Sequence, residues 1–309
     1  MSSSSPPESP AFRPPTVELH KPLAPAIPHI VAQCAAGPGT YNVSSPHTLG
    51  QSWFVKRGNL SLEAEARTQA YLFTLALSDP LAPGIARVHG VFRDSCDTYL
   101  LMDHVPAPSF RAWIEHGQSD SDRAARSAIA IEKIAAAVSW LLQCPTPGDN
   151  RIGPVGGGLI QHRFFNMGEA PVAFRSPEAL EKFLDKASAL TRLPGNDIRR
   201  VELRTEALIF SPSDITLDNF LYDPHSERVW MVDHQHVNVL PTSFFDYYIY
   251  ASEDPFVQAV AAKIDFAPSA QRAQLRLASA IVIQSGNSSL GLGEDGEPLP
   301  RRRRPRPLT

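Results

Sequence analysis

Cysteine is scarce in this chain of 309 residues: only Cys34, Cys96 and Cys144 occur. They are odd in number and far apart, which excludes a disulfide framework and a CxxC metal pair and suits a reducing compartment. No stretch reaches the roughly 18 apolar residues that a membrane helix needs. The first residues, MSSSSPPESPAFRPP, lack the basic and then apolar pattern of a secretory signal. Positive charge is not in excess either. A net charge of -3 and a pI near 6.4 exclude a general affinity for nucleic acid or anionic membrane. The expectation is a soluble, cytoplasmic protein, and its 43% hydrophobic content suffices for a packed core.

Composition marks the ends. Residues 1–15 are rich in Ser and Pro and read as a disordered leader. Residues 286–309 turn to Gly, Pro and charge and read as a disordered basic tail, ending in Arg301 to Arg304 and Arg306. That arginine run is a solvated tail by default. A nuclear-import signal or a nucleic-acid patch is its alternative reading.

Between the ends, QSWFVKRG around Lys56, IARVHGVF around Val88 and TYLLMDHV around Leu101 are short runs rich in β-branched and aromatic residues, the pattern of strands. They are interrupted by LSLEAEARTQAYLFTLAL, whose apolar residues approximate a helical stripe. SDSDRAARSAIAIEKIAAAVSWLLQ predicts a long helix, acidic in its first turn, with Ile129, Ile131, Ile134, Val138, Leu141 and Leu142 apolar and Pro145 stopping it. SPEALEKFLDKASALTRL predicts another, with Ser176 as N-cap and Pro177 first. NFLYDPHSERVWMVD reads as a β-hairpin turning at Pro-His-Ser-Glu and ending at Asp233.

The chemistry concentrates in SPSDITLDNFLYDPHSERVWMVD. Asp214 and Asn219 fit D-x-x-x-x-N, in which the aspartate accepts or orients an acceptor proton and the asparagine helps to hold metal. The hairpin would fold Asp233 back beside them as a magnesium ligand, because hard oxygen donors suit Mg²⁺. Lys56, in an apolar strand, needs a partner. Glu65 in the next helix is the natural choice and Glu63 the competing one. LLMDHV could link two lobes, with backbone groups of Asp103 and Val105 bonding adenine.

These residues resemble the aminoglycoside phosphotransferase/choline kinase branch of the protein-kinase-like fold, and within it the fungal small-molecule-kinase-like proteins. The resemblance spans roughly residues 30–285, through WFVKRG, EAEARTQAYLF, YLLMDHV, GPVGGG, SDITLDNFLYD and VWMVDHQHVNVLP. It implies an α+β, two-lobed fold, with a small β-rich N-lobe over residues 16–105 and a larger, mainly helical C-lobe over 106–285. It also implies ATP and Mg²⁺ as cofactors and a small-molecule hydroxyl as the phosphate acceptor. By that likeness Asp214 is catalytic, Asn219 and Asp233 are metal ligands, and Lys56 with Glu65 places the phosphates. The absence of an APE-like segment after Asp233 favours a small-molecule kinase over a protein kinase.

Two departures stand against the pattern. DHQ at 233–235 replaces DFG, and Pro212 replaces the histidine that braces the catalytic loop. Proline removes polar contacts and a backbone donor, so impaired positioning is expected, and the alternative reading is a pseudokinase that binds nucleotide or a partner. AAGPGTYNVS offers Gly37 and Gly39 but no full G-x-G-x-x-G for a phosphate-covering loop. GPVGGGLIQHR lacks the G-K-[ST] ending of a phosphate loop and reads as a flexible loop. His234 and His236 read as structural hydrogen-bonding groups on an extended segment, since no third zinc ligand lies near. Asp246, Glu253 and Asp254 could face a cationic substrate or form a solvated face.

Overall fold

In the computed structural model the described residues are 12–19, 21–44, 52–59, 61–190, 200–286 and 288–300. The N-terminal lobe is built on a four-stranded sheet of β1 (Gly39–Ser44), β2 (Ser52–Gly58), β4 (Val88–Asp94) and β5 (Asp97–Asp103). Its order is β1-β2-β5-β4, with every neighbouring pair antiparallel. The period of two along β2 sorts its side chains. Trp53 and Val55 point into a cluster with Ile30 of α1 (Ile27–Gln33), Tyr99 and Leu101. Phe54 belongs to the opposite face, with Leu100 and Met102 of β5 and with Leu62 and Ala66 of α2 (Ser61–Ala76). Lys56 shares that second face, and this register aims its chain at the cleft between the lobes.

The larger lobe is mainly helical: α3 (Phe110–Glu115), α4 (Asp120–Gln143), α5 (Pro177–Leu190), α6 (Thr242–Ala251), α7 (Pro255–Ala261) and α8 (Arg272–Gln284). The two-lobed α+β arrangement expected from the sequence is therefore present. Ser119 caps α4 by accepting from the Asp122 N–H at 3.1 Å, and Ser176 caps α5 through the Ala179 N–H at 3.2 Å. The buried stripe of α4 differs from the sequence expectation. Ala130, Ile134, Ala135, Ala137, Val138 and Leu141 are buried, whereas Ile129 is 40% exposed. Close packing against the hairpin and α7 seats alanines where the sequence offered larger side chains.

Two further small sheets are present, and one of them joins the lobes. The hairpin is present as β7 (Phe220–Asp223) and β8 (Arg228–Met231), with Phe220 opposite Met231 and β3 (Gly84–Ile85) parallel to β8. β6 (Leu208–Pro212) pairs with β9 (Val237–Pro241), so that Pro212 lies opposite Val237.

The chain ends are folded further than composition suggested. Phe12 sets its ring edge-on to Tyr71, and the Val91 N–H donates to the Val17 carbonyl at 2.6 Å. The backbone of Leu19 crosses Gly90 so closely that a Cβ there would lie 2.3 Å from its Cα, at a φ of +149°. Only glycine fits under this strap. Residues 288–300, read as the start of a tail, fold back on α5. Leu292 is 4% exposed in the second core cluster, and Glu297 accepts from Lys182 at 2.6 Å. A few leucines among Gly and Pro supply that anchor, which composition averages away. Residues 1–11 of the leader and the arginine run, in 301–309, lie outside the described residues.

Candidate functional site

A cavity of about 320 Å³ lies between the lobes. Phe54, Ala86, Met102, Leu221 and Val232 line it with apolar surface, and Lys56, Asn219 and Asp233 supply polar groups. Lys56 Nζ donates to Glu65 Oε1 at 2.7 Å and to Asp233 Oδ1 at 2.9 Å. One cation thus joins β2, α2 and the segment after β8. Glu63, the competing partner, instead accepts from Arg93 at 2.8 Å. Helical spacing separates the two glutamates: at two positions apart they face different sides of α2.

Burial shapes the charges of this triad. Desolvation works against the Lys56 ammonium, but Glu65 and Asp233 outweigh it and hold its pKa above the usual lysine value. Burial lifts the Glu65 carboxyl above its ordinary range, only partly offset by Lys56. Burial would raise Asp233 as well, but attraction and a hydrogen bond from Lys56 carry it below the usual carboxylate value. Asp233 has φ 59° and ψ 70°, a left-handed conformation that is costly for a non-glycine residue and turns its side chain back to the cleft.

Asp214 and Asn219 are brought together as their spacing suggested. Asn219 Nδ2 donates to the Asp214 carbonyl at 2.9 Å and to Asp214 Oδ2 at 3.0 Å. Its amide carbonyl is left for a cation. Asp214, Asn219 and Asp233 meet around a small hollow that Pro212 and His236 also line. The oxygen donors of Asn219 and Asp233, on the wall of one cavity, fit a hard divalent cation that keeps most of its waters. Among the described residues no group of three or more His, Cys, Asp or Glu side chains forms a metal cage.

Pro212 ends β6, and the loop after it is braced without an imidazole. The Ser213 N–H donates to the His236 carbonyl at 3.1 Å, and Ser213 Oγ donates to the Gln161 carbonyl at 3.2 Å. The Ile215 N–H donates to Tyr248 Oη at 2.8 Å. Tyr248 is 2% exposed, and burial pushes its phenol up to about 12. Arg111 Nε donates to Asp218 Oδ2 at 2.7 Å, fixing the far end of the loop. Sequence reasoning found neither tyrosine nor arginine: Tyr248 is hidden in the aromatic run FFDYYIY, and Arg111 lies outside any motif.

Arg163 was also unforeseen. Its Nη2 donates to Asp214 Oδ1 at 3.1 Å, and its guanidinium lies 5.9 Å from the centre of the Tyr248 ring. Arg163 lines a second cavity, of about 330 Å³, with Tyr247, Tyr248, Ser252, Glu253 and Asp254.

The remaining sequence expectations divide. Asp103 and Val105 both line the larger interlobe cavity. The Asp103 N–H, however, donates to the Arg87 carbonyl at 3.0 Å, and its carboxylate bonds His89 at 2.6 Å. The Val105 N–H has no partner among the described residues, whereas its carbonyl accepts from Ala107. Gly37 and Gly39 precede or open β1 rather than connecting β1 to β2; that connection, 45–51, lies outside the described residues. GPVGGG is pinned rather than flexible. Arg67 donates to the Val155 and Gly157 carbonyls at 3.1 and 3.0 Å, and the Val155 N–H donates to Thr68 Oγ1 at 3.0 Å. α2 is thereby fastened to the helical lobe.

His234 to His236 form a turn of 3-10 helix, not an extended segment. Among the described residues, both ring nitrogens of His234 and Nδ1 of His236 are buried without a hydrogen-bond partner. Burial holds His234 down at about 4. Asp246 is fully buried and bonded twice to Arg272, at 2.8 and 2.7 Å, so it belongs to no substrate face.

No protein-family profile matches the chain. No curated protein matches it either. Among solved structures it is similar to the crystal structure of an aminoglycoside-3'-phosphotransferase of type VIII, at 17% sequence identity and a TM-score of 0.45, covering 85% of this chain and 100% of that one. At that distance the likeness carries no argument about function. Among the described residues no helix is long and apolar enough to cross a membrane.

Proposed function

We propose that the chain is an ATP- and Mg²⁺-dependent phosphotransferase acting on a hydroxyl of a small molecule. The observation that carries this reading is the bridging of Glu65 and Asp233 by Lys56, at 2.7 and 2.9 Å, on the wall of the cavity that also holds Asn219. Phosphoryl transfer needs a cation on the phosphates, oxygen ligands for metal and a carboxylate at the acceptor hydroxyl. In this reading Lys56, oriented by Glu65, holds the phosphates. The apolar walls take the base, with the Val105 N–H donating to it and Asp103 contributing its carbonyl oxygen. Asn219 and Asp233 hold magnesium, which neutralises phosphate charge, and Asp214 receives the acceptor proton. Membership of the fungal small-molecule-kinase-like proteins remains part of the proposal.

Pro212 favours a second reading, a pseudokinase that binds nucleotide or a partner without transfer. The contacts of Ser213 and Ile215 count against it, since they hold the loop that the missing imidazole would have braced. Calorimetric titration of ATP with and without Mg²⁺ tests both readings. The phosphotransferase reading expects magnesium-dependent binding that Asp233→Asn removes, and Asp214→Asn that binds nucleotide but does not turn over. Absence of nucleotide binding to the unaltered protein would overturn it. Binding without transfer by the unaltered protein, across hydroxylated acceptors, would leave the pseudokinase reading in its place.

A further inference from the structure

The cavity of about 330 Å³ beside Asp214 has the chemistry of an acceptor site, and its charges narrow the acceptor. It presents a cation and an anion that are not joined to each other. Arg163, 56% exposed, reaches to Asp214 Oδ1. Glu253 is exposed and has no hydrogen bond or ion pair among the described residues. Asp254, its neighbour, adds a second carboxylate, whose Oδ1 caps α7 by accepting from the Phe256 N–H at 2.8 Å. Tyr247 and Tyr248 form the wall. Their hydroxyls are used elsewhere, on Ser279 Oγ and on the Ile215 N–H, so the rings offer mainly apolar faces.

Both oxygens of Asp214 hold a donor: Oδ2 that of Asn219, Oδ1 that of Arg163. An acceptor hydroxyl approaching Oδ1 must meet or displace the guanidinium. A purely cationic acceptor would be repelled by Arg163 and offers nothing to draw it away. A purely anionic one would engage Arg163 but face the free Glu253 carboxylate. A zwitterion satisfies both. Its carboxylate takes Arg163 in the planar, paired geometry that guanidinium favours, and its ammonium faces Glu253.

Resting on the phosphotransferase reading, we propose that this cavity binds a hydroxylated zwitterion of the amino-acid type, whose carboxylate draws Arg163 from Asp214 and whose hydroxyl is the phosphate acceptor. In the transfer the hydroxyl oxygen forms a bond to the γ-phosphorus of the nucleoside triphosphate. The bond from that phosphorus to the β-phosphate oxygen breaks, the nucleoside diphosphate leaves, and the hydroxyl proton passes to Asp214 Oδ1. Arg163 and Glu253 are specificity-determining residues in this scheme.

The test is calorimetric or NMR-detected binding to the full chain, with and without a non-hydrolysable ATP analogue and Mg²⁺. The probes are hydroxylated amino acids, each with its carboxamide and its N-acetyl derivative, together with an amino sugar and choline. The inference expects at least one zwitterion to bind and to lose about tenfold or more in affinity as its carboxamide or in Arg163→Ala. Glu253→Gln should weaken the zwitterion while leaving its N-acetyl derivative unchanged. Arg163→Lys, which keeps the charge but not the fork, should fall between. Nucleotide binding with no zwitterion binding overturns the inference and leaves the phosphotransferase reading standing, as does preferential binding of the amino sugar or choline unaffected by Arg163→Ala. Zwitterion binding in a chain that binds no nucleotide supports the cavity assignment while removing the transfer step.

Discussion

The two sides of Asp214 are built on different plans. On the side proposed for nucleotide, Lys56, Glu65 and Asp233 come from three distant elements and close into one network around the buried Glu65. On the side proposed for the acceptor, Arg163, Tyr248 and Glu253 surround a more open cavity, and of these three only Tyr248 is deeply buried. A buried charge network tolerates little variation, since removing one partner leaves another charge unpaired. An exposed rim tolerates much, so that ligand choice can change there at small cost to the fold.

The largest expected effect falls on the first side. Lys56→Met leaves Glu65, 2% exposed, without its cation. Stability should fall by about 3 kcal/mol in denaturant titration, and nucleotide binding should be lost. Lys56→Met combined with Glu65→Leu should recover part of the stability but none of the binding. If the double variant is no more stable than the single one, the two side chains are not coupled as the 2.7 Å contact requires.

Acid compares the sides directly, because each has a buried neutral imidazole. His162 is fully buried against Phe244, Tyr247 and Tyr248, and burial pushes it down to about 3; His234 stands at about 4. In the unfolded chain both titrate near 6.5. A depressed folded pKa gives stability that is complete above about 6.5 and is lost as the pH falls toward 4 and 3. At pH 5 each histidine should cost about 2 kcal/mol relative to pH 8. His162→Gln, whose amide oxygen can still accept the Phe164 N–H, should flatten the dependence of unfolding free energy on pH by about that amount. An unchanged slope would mean that His162 is not held neutral.

Legibility in the sequence followed the same division. The convergence of Lys56, Asp214, Asn219 and Asp233 was legible because strand period, motif spacing and a hairpin turn are local signals that fix geometry. Glu65 was preferred to Glu63 in the sequence, and the structure pairs Lys56 with Glu65 while Arg93 takes Glu63. Tyr248 and Arg163 gave no local signal: an aromatic on a buried helix and an isolated arginine make their contacts only when α6 and the segment after GPVGGG pack against the loop that carries Asp214. The same holds for Leu292, whose burial no compositional average can show.

Tyr248→Phe tests whether the loop brace replaces the absent histidine. It deletes one buried hydrogen bond, to the Ile215 N–H at 2.8 Å, and preserves the ring. Stability should drop by about 1–2 kcal/mol, the cost of an unsatisfied buried donor. On the proposed function, nucleotide affinity should stay within about twofold, since Lys56, Asn219 and Asp233 keep their own contacts and only Asp214 links the two sides. Equal losses in nucleotide affinity and stability would show that the two sides are one unit.

The smallest effect belongs to Arg163→Ala. The side chain is more than half exposed and its partner Asp214 keeps the bond from Asn219, so stability should change by no more than about 0.5 kcal/mol. That near-neutrality is what makes the variant informative. A thermal-unfolding midpoint that stays close to that of the unaltered chain, alongside altered ligand binding, would separate a specificity residue from a structural one. A large loss of stability would instead assign Arg163 to the brace and make the acceptor side as closed to variation as the nucleotide side.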